Sequence, residues 1–551
     1  MTVQGGGVGI GIAEGAIDLN EEGVKPYSDP KADTELNTRI MAEWLATGRI
    51  CTLNAPGTYY VNESLSFDDS SVLSLGPGVT IEHTTTSESL LSSTAGGIAY
   101  GTASGAYSYA AQAPNQIGTI RRPSALTFAF ESNFPYAIWR DAQGKVQTSF
   151  DPSTLLSPAG KTEYYMDPVS GLDSNSGLTA ALPKKTFKTA VNGLIATANT
   201  AGVPIIVYCI AGMYDASNSW NGGTRFTVPV TIIGYGGRVI FGLNQNATWT
   251  NPDVTYPNTG STASFTTAAR AVDITNLDAF GDYTELTEVA TPALCNTTPN
   301  SWCQDGSRIY VRRADAAAIS NTNTRVYRPS IEGARCSTSA GASTIVANID
   351  FEGGNNGNFL GDGNPTGRCY LINCTAKWAG TNASPVDAIK ARDIAFMLNY
   401  RCVAAHAGQD GFDYQAASGT TPQWVNIECW GHHNGITGST SNNGLTGHSG
   451  TTGVDISGRY DYNYGGNVAI IDADTQIWQI QSTAAYSLGD VATGGADTPR
   501  NYYALGSAAL FLDSCIGFGS QWDLFATSSG TISIRNHQSI GGARFGTISE
   551  Y

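Results

Sequence analysis

The sequence is short of charge. Only 14% of its 551 residues are Asp, Glu, Lys or Arg, and just 30 of them are basic. No basic run exceeds Lys184-Lys185 and the net charge is −16, so a phosphate-binding surface has nothing to draw on. Nucleic acid is excluded as a partner on that ground. Long apolar runs are missing as well. The richest, Ile205 to Ala211, falls far below the roughly 20 residues a membrane helix needs, so no membrane insertion is expected. Met1 to Leu19 sets Glu14 and Asp18 among glycines without a basic start or an unbroken apolar stretch, which reads as no signal peptide. The ten Cys include no CxxC pair. Cys209, Cys369, Cys374, Cys402 and Cys429 lie in strand-like segments, as small apolar residues would, and read as reduced core thiols. Cys295 and Cys303 are the one pair spaced for a local disulfide, and we expect it to stay open. HExxH, zinc-ribbon, EF-hand and GxSxG patterns are absent, so neither a metal nor any other cofactor is expected, and "GHSGTTG" around Ser449 is too loose to suggest a serine esterase.

What the chain does have is glycine, 64 residues of it, beside a hydrophobic content of 41%. Without Gly-X-Y periodicity this is a folded, turn-rich, all-β composition rather than collagen or a disordered chain. One pattern occurs twice, at residues 33 to 81 and 187 to 241: helix, strand, tight turn, strands. In the first copy Leu36, Ile40, Met41, Trp44 and Leu45 share a helical face behind Asp33, and Ile50 to Leu53 and Pro56-Gly57-Thr58-Tyr59 follow. In the second, Phe187, Val191, Leu194, Ile195 and Ala198 form the face, ahead of Ile205 to Ile210 and Ala211-Gly212-Met213-Tyr214. An amphipathic helix before evenly spaced short strands is what a solenoid requires, because its first coil exposes an open apolar end that a helix can cap.

The stretch from Asp33 through "APGTYYV" to "LSLGPGVTIEH" resembles the pectate-lyase-like β-helix opening of bacteriophage tailspikes and capsule depolymerases, and the second copy resembles it too. The resemblance implies a right-handed, single-stranded parallel β-helix with N-terminal capping helices and a small N-terminal region. It divides the chain into an N-terminal region at 1–98, a linker and small β subdomain at 99–160, and a main β-helix at 161–551 with a capping helix near 187–199. It implies a homotrimer located on the virion, joined to phage tail or baseplate proteins through the N-terminal region. "DGFDY" at 410–414 and the late "LFLDSC" and "WDLFA" segments resemble the same depolymerases, which as a group cleave capsular or O-antigen polysaccharides. The implied partner is therefore a bacterial surface polysaccharide. Catalytic residues vary widely among such proteins, so the resemblance transfers none.

From about residue 330 a coil repeat is visible: Cys374, Cys402, Cys429 and Arg459 align at steps of 28, 27 and 30 residues, each followed six residues later by Gly380, Gly408, Gly435 and Gly465. That step fits coils of three strands with decorated turns. Only six His occur, and His406, His432, His433 and His448 fall within 43 residues. His406 and His433 each stand four places after a repeat Cys and should lie one above the other. Glycan hydrolysis needs an acid for the leaving oxygen and a base or nucleophile. Coils stack at about 4.8 Å, so carboxylates on neighbouring coils can supply both roles. The candidates are Asp410, Asp413, Glu428 and Asp455, with His406, His433 and His448 in support. Lys390, Arg392, Trp424, Trp430, His432, Tyr460 and Tyr462 are candidate substrate-binding residues. Asp410 before Gly411 could equally be a turn residue, and stacked His a solvated ladder. A lyase remains open as the alternative, with Lys390, Arg392, Arg401, His448, Tyr460, Tyr462 and Tyr464 available for β-elimination. So does a non-catalytic adhesin.

Overall fold

The computed structural model describes residues 116–551 apart from 142, 157–159, 215–226, 243–246, 265–267, 269, 328–333, 337–340, 355–358, 381–385, 418, 436–441 and 490–497; before 116 it describes short strands and a few positions between 17 and 100. The chain forms two compact units, residues 1–122 with 135–150, and residues 123–134 with 151–551.

The duplicated opening recurs in both units at the level of register. In the first unit Ile50–Leu53 pairs in parallel with Val72–Leu75, and Gly57–Val61 with Val79–His83, so that Gly57 stands beside Val79 and Tyr59 beside Ile81. In the second unit Ile205–Tyr214 pairs in parallel with Val230–Gly242, with Gly212 beside Val239 and Tyr214 beside Phe241. Tyr59 and Tyr214 are both buried. Of the first helical face only Met41 is among the described residues, and it is buried. The second is the helix Phe187–Ala201, which stops at Gly202 with φ 64°, a left-handed conformation that glycine adopts without strain. Its Leu194 and Ala198 share a core with Ile205, Val207 and Val230; the side chains of Phe187, Val191 and Ile195 lie outside the described residues.

The second unit is a parallel β-helix. Its 27 strands form one continuous ladder in which each strand of the main run pairs with the third strand after it, as Phe412–Gln415 does with Leu445–His448, and Gln423–Ile427 with Thr452–Ile456. One turn of the solenoid therefore carries three strands. Two alternating sides per strand fix what is inside: Phe412 and Tyr414 enter the core while Asp413 and Gln415 point the other way. The corner before the shortest strand is a single left-handed residue, occupied coil after coil by Asn348, Asn373, Arg401, Glu428, Ser457, Gln481, Ser514 and Asn536. The residue after that corner turns inward where little room is left. Cys374, Cys402, Cys429 and Cys515 hold this place as buried free thiols, each hydrogen-bonded to main-chain oxygens. The other described cysteines, Cys295 and Cys303 included, are free and buried as well.

Two readings need correction. Arg459 pairs with Trp430, so the place equivalent to Cys429 belongs to Gly458. The reason is steric: a Cβ on Gly458 would stand 2.3 Å from Oδ2 of Asp455, whose carboxyl fills the space a cysteine would take. The β-helix is also interrupted. Between Val230–Gly242 and Ser343–Ala347 the chain builds two small sheets, one ordered Gly260–Thr262, Arg308–Arg312, Ser301–Asp305, Thr287–Glu288, and one ordered Tyr283–Glu285, Arg270–Leu277, Thr324–Tyr327, in which all but the Thr287–Glu288 pairing is antiparallel. This insertion has its own core of Leu286, Trp302, Ile309, Val311 and Val326.

Candidate functional site

The strands Ile389–Tyr400, Phe412–Gln415 and Leu445–His448 lie side by side on one face of the solenoid. Pairing puts Lys390 beside Asp413 and Asp413 beside Thr446, and Arg392 beside Gln415 and Gln415 beside His448. One step earlier, Asp387, Asp410 and Asn443 stack at the strand starts: the Asp410 amide donates to Asp387 Oδ1 at 3.1 Å, and the Asn443 amide donates to Asp410 Oδ1 at 2.7 Å. The result is a compact group of opposite charges. Lys390 Nζ stands 2.7 Å from Asp387 Oδ2 and 2.7 Å from Asp413 Oδ2. His448 Nε2 lies 3.6 Å from Asp413 Oδ1 and 3.9 Å from Asp410 Oδ2.

Burial sets the protonation of this group. Asp387, Asp410 and Asp413 are at most 3% exposed, whereas the Lys390 and His448 side chains are 19% and 21% exposed and form the open edge. Loss of solvent, reinforced by the Asp413 carboxylate, pushes Asp387 up to about 6 even though Lys390 opposes it. Burial alone would lower His448, but Asp410 and Asp413 outweigh it and raise the imidazole to about 9, so it is charged at neutral pH. Asp413 and Asp387 raise Lys390 against its own desolvation. Asp413 Oδ1 is buried without a hydrogen-bond partner, a costly state for a carboxylate oxygen and one that a substrate hydroxyl would relieve.

The other histidines form a separate group. His406 and His433 do stack, with ring centres 5.3 Å apart and planes at 14°. They belong to a column of left-handed corner residues, Trp378, His406, His433, Tyr462 and Tyr486, whose neighbouring rings lie 4.0 to 5.3 Å apart. This column is not an open sugar platform at the histidines, because the turn Asp278–Asp282 of the insertion covers it. Phe280 lies 4.5 Å from His433 and 5.1 Å from Tyr462, and the buried Asp282 Oδ2 meets His406 Nε2 at 2.8 Å. Lys377 binds the other Asp282 oxygen.

The remaining candidates are scattered. Glu428 occupies a left-handed corner at φ 52° and pairs with Arg401 at 2.7 Å, on a different corner from Asp413. Asp455 is inside the solenoid, accepting from Tyr460 Oη at 2.6 Å and from Ser482 Oγ, and loss of solvent pushes it up to about 7. Trp424 and Tyr460 are buried too, Trp424 stacked on Tyr414 at 4.1 Å, which withdraws both from direct sugar contact. Trp430 remains half-buried under the Arg459 guanidinium, 4.6 Å from its ring centre. Asp387 and Asn443 were not among the sequence candidates. Their signal is the alignment of "DAIK" at 387–390 with "DGFD" at 410–413 and "NGLT" at 443–446, which becomes readable once the coils are set in register through these strands.

No family model matches the chain, and no curated protein matches it. Among solved structures, similarity is found to a glycoside hydrolase (TM-score 0.43, 8% identity, 68% of this chain and 96% of that one). XylC in complex with xylose gives a TM-score of 0.43 at 10% identity, over 71% of this chain and 70% of that one. The enzymatically active domain of bacteriophage CBA120 tailspike protein 4 gives 0.27 at 11% identity, over 66% of this chain and 42% of that one. Likeness at this level leaves the chemistry to be argued from the residues, and the fold rests on the strand pairing described above.

Proposed function

We propose that this chain is a phage tailspike depolymerase that binds a bacterial capsular or O-antigen polysaccharide and cleaves it by endo-glycosidic hydrolysis. The observation that carries the reading is the convergence of Asp387, Asp410 and Asp413 from neighbouring coils around Lys390 and His448, with Asp387 held protonated into the range of a general acid. Asp387 would protonate the leaving oxygen and Asp413, with its unpartnered Oδ1, would act on the anomeric carbon. Both Oδ2 atoms are 2.7 Å from one nitrogen, so they are separated by no more than twice that distance. This favours retention, for which carboxyl groups stand about 5–5.5 Å apart, over inversion at about 6.5–9.5 Å. For a sugar ring to stand between them, the Lys390 ammonium has to swing out of the space it fills. Arg392 and Gln415 extend the same face and would bind neighbouring sugars.

The chemistry weighs against elimination. A base must be uncharged before it abstracts a proton, and Lys390 and His448 are both held in their protonated forms. The lyase reading keeps one observation in its favour, since the cations Lys390, Arg392 and His448 on one face could neutralise a uronate carboxylate. In the assembly we propose, three chains associate, the helix Phe187–Ala201 caps the main solenoid, and the N-terminal region joins phage tail or baseplate proteins on the virion. The test is incubation with purified capsular polysaccharides while following new reducing ends and the absorbance of unsaturated uronates. Reducing ends without absorbance are expected; absorbance would replace the hydrolase with a lyase, and binding with neither signal across a broad panel would make the chain an adhesin.

A further inference from the structure

We propose that His406, His432 and Asp282 form a binding site for a dication of the zinc class, oriented by His433, that ties the antiparallel insertion to the solenoid. The ligand atoms are already gathered. Asp282 Oδ2 lies 2.8 Å from His406 Nε2 and 3.6 Å from His432 Nε2. Ligand atoms about 2.0–2.1 Å from a tetrahedral zinc stand roughly 3.3 Å from one another, a value that these two distances bracket. Asp278 also offers an atom within 4.8 Å of one on Asp282 and one on His406. Imidazole and carboxylate are the donor set that zinc takes readily, and no thiol lies among them.

A second observation points to a ligand independently of the clustering. His432 is fully buried, and its Nε2 has no hydrogen-bond partner. An orphaned ring nitrogen in that position is costly unless something binds it. Its other nitrogen is engaged: His432 Nδ1 and His433 Nδ1 face each other at 3.0 Å. Two facing imidazole nitrogens form a hydrogen bond with one proton between them, and with that proton on His432 Nδ1 the Nε2 lone pair is turned toward Asp282. A partner that fixes the tautomer of a ligating histidine in this way is the usual support of a metal site. Lys377, on the other Asp282 oxygen, leaves Oδ2 as the metal-facing atom. The site joins residues 124 positions apart in sequence, which is what a clamp between an inserted domain and its host fold requires.

The test uses the full chain, stripped with a chelator and dialysed against zinc chloride, with metal content, cobalt-substituted visible spectra and thermal unfolding as readouts. One zinc per chain is expected, with a tetrahedral cobalt spectrum and a higher unfolding midpoint when loaded. His432→Gln and Asp282→Asn should each abolish stoichiometric uptake. His433→Phe keeps the ring stack and removes the orienting nitrogen, so it should weaken binding by about 10–100-fold. A folded wild-type chain that takes up no stoichiometric zinc, or uptake that survives both His432→Gln and Asp282→Asn, would overturn the proposal. Should both of those variants fail to fold, the wild-type stoichiometry, the cobalt spectrum and His433→Phe decide it.

Discussion

Two buried carboxyl groups with raised affinities for protons have opposite meanings at the residue scale. Asp387 borders Lys390 at an edge that a substrate can reach, so its value of about 6 is a working range for proton donation. If it is the general acid, turnover should fall as pH rises through about 6 in a profile of kcat, and Asp387→Asn should lower kcat by about 10²–10⁴-fold. An alkaline limb unmoved by the substitution would remove Asp387 from that role. Asp455 is enclosed by Tyr460, Ser482 and Gly458 inside the coil, and its value of about 7 is a matter of stability. The folded group binds its proton more tightly than an unfolded Asp at about 3.9. Its contribution is therefore fully present below pH 3.9 or so and is lost as pH rises through about 7. Urea midpoints of the wild type should fall between pH 5 and pH 8, and Asp455→Asn should flatten that fall; an equal slope in both proteins would contradict the assignment.

Corners rather than strands distinguish this solenoid at the scale of elements. A non-glycine residue at positive φ costs about 1–2 kcal/mol, yet Trp378, His406, His433, Tyr462 and Tyr486 repeat one at the same corner. Their mutual stacking offsets that strain, at about 0.5–1.5 kcal/mol for each aromatic pair. Replacing Tyr462 by Val removes three ring contacts and puts a β-branched side chain at φ 54°. A loss of about 2–3 kcal/mol in urea unfolding is expected, and a loss below the scatter of surface substitutions would show that the column does not stabilise the corners. This corner pattern also explains what could be read beforehand. The cysteine steps and the His406–His433 stack were legible because they repeat with the coil. Gly458 was not, since its place depends on the Asp455 carboxyl reaching into it from the strand just before the corner. Nor was the cover over the histidines, since Phe280 and Asp282 come from an insertion with no period in common with the solenoid. That insertion left its own trace in the Asp305-Gly306 turn between Ser301–Asp305 and Arg308–Arg312.

For the whole molecule, the β-helix converts distance along the chain into a fixed stack, so that residues 387, 410 and 443 meet although 23 and 33 positions separate them. A group assembled in this way is held by the ladder itself, which brings its carboxylates together. The sequence reading found Asp410, Asp413 and His448 of that group, because they share a dense stretch of the chain, and missed Asp387, which lies one coil earlier. It set Glu428 and Asp455 near them as carboxylates on later coils, whereas three strands per coil send Glu428 to a corner and Asp455 into the core. The direct test of the central claim is reducing-end release from a purified capsular polysaccharide that the wild type cleaves, measured for Asp413→Asn with binding followed in parallel. Retained binding with cleavage lowered by about 10²-fold or more is the predicted result; cleavage at the wild-type rate by the folded variant would contradict it.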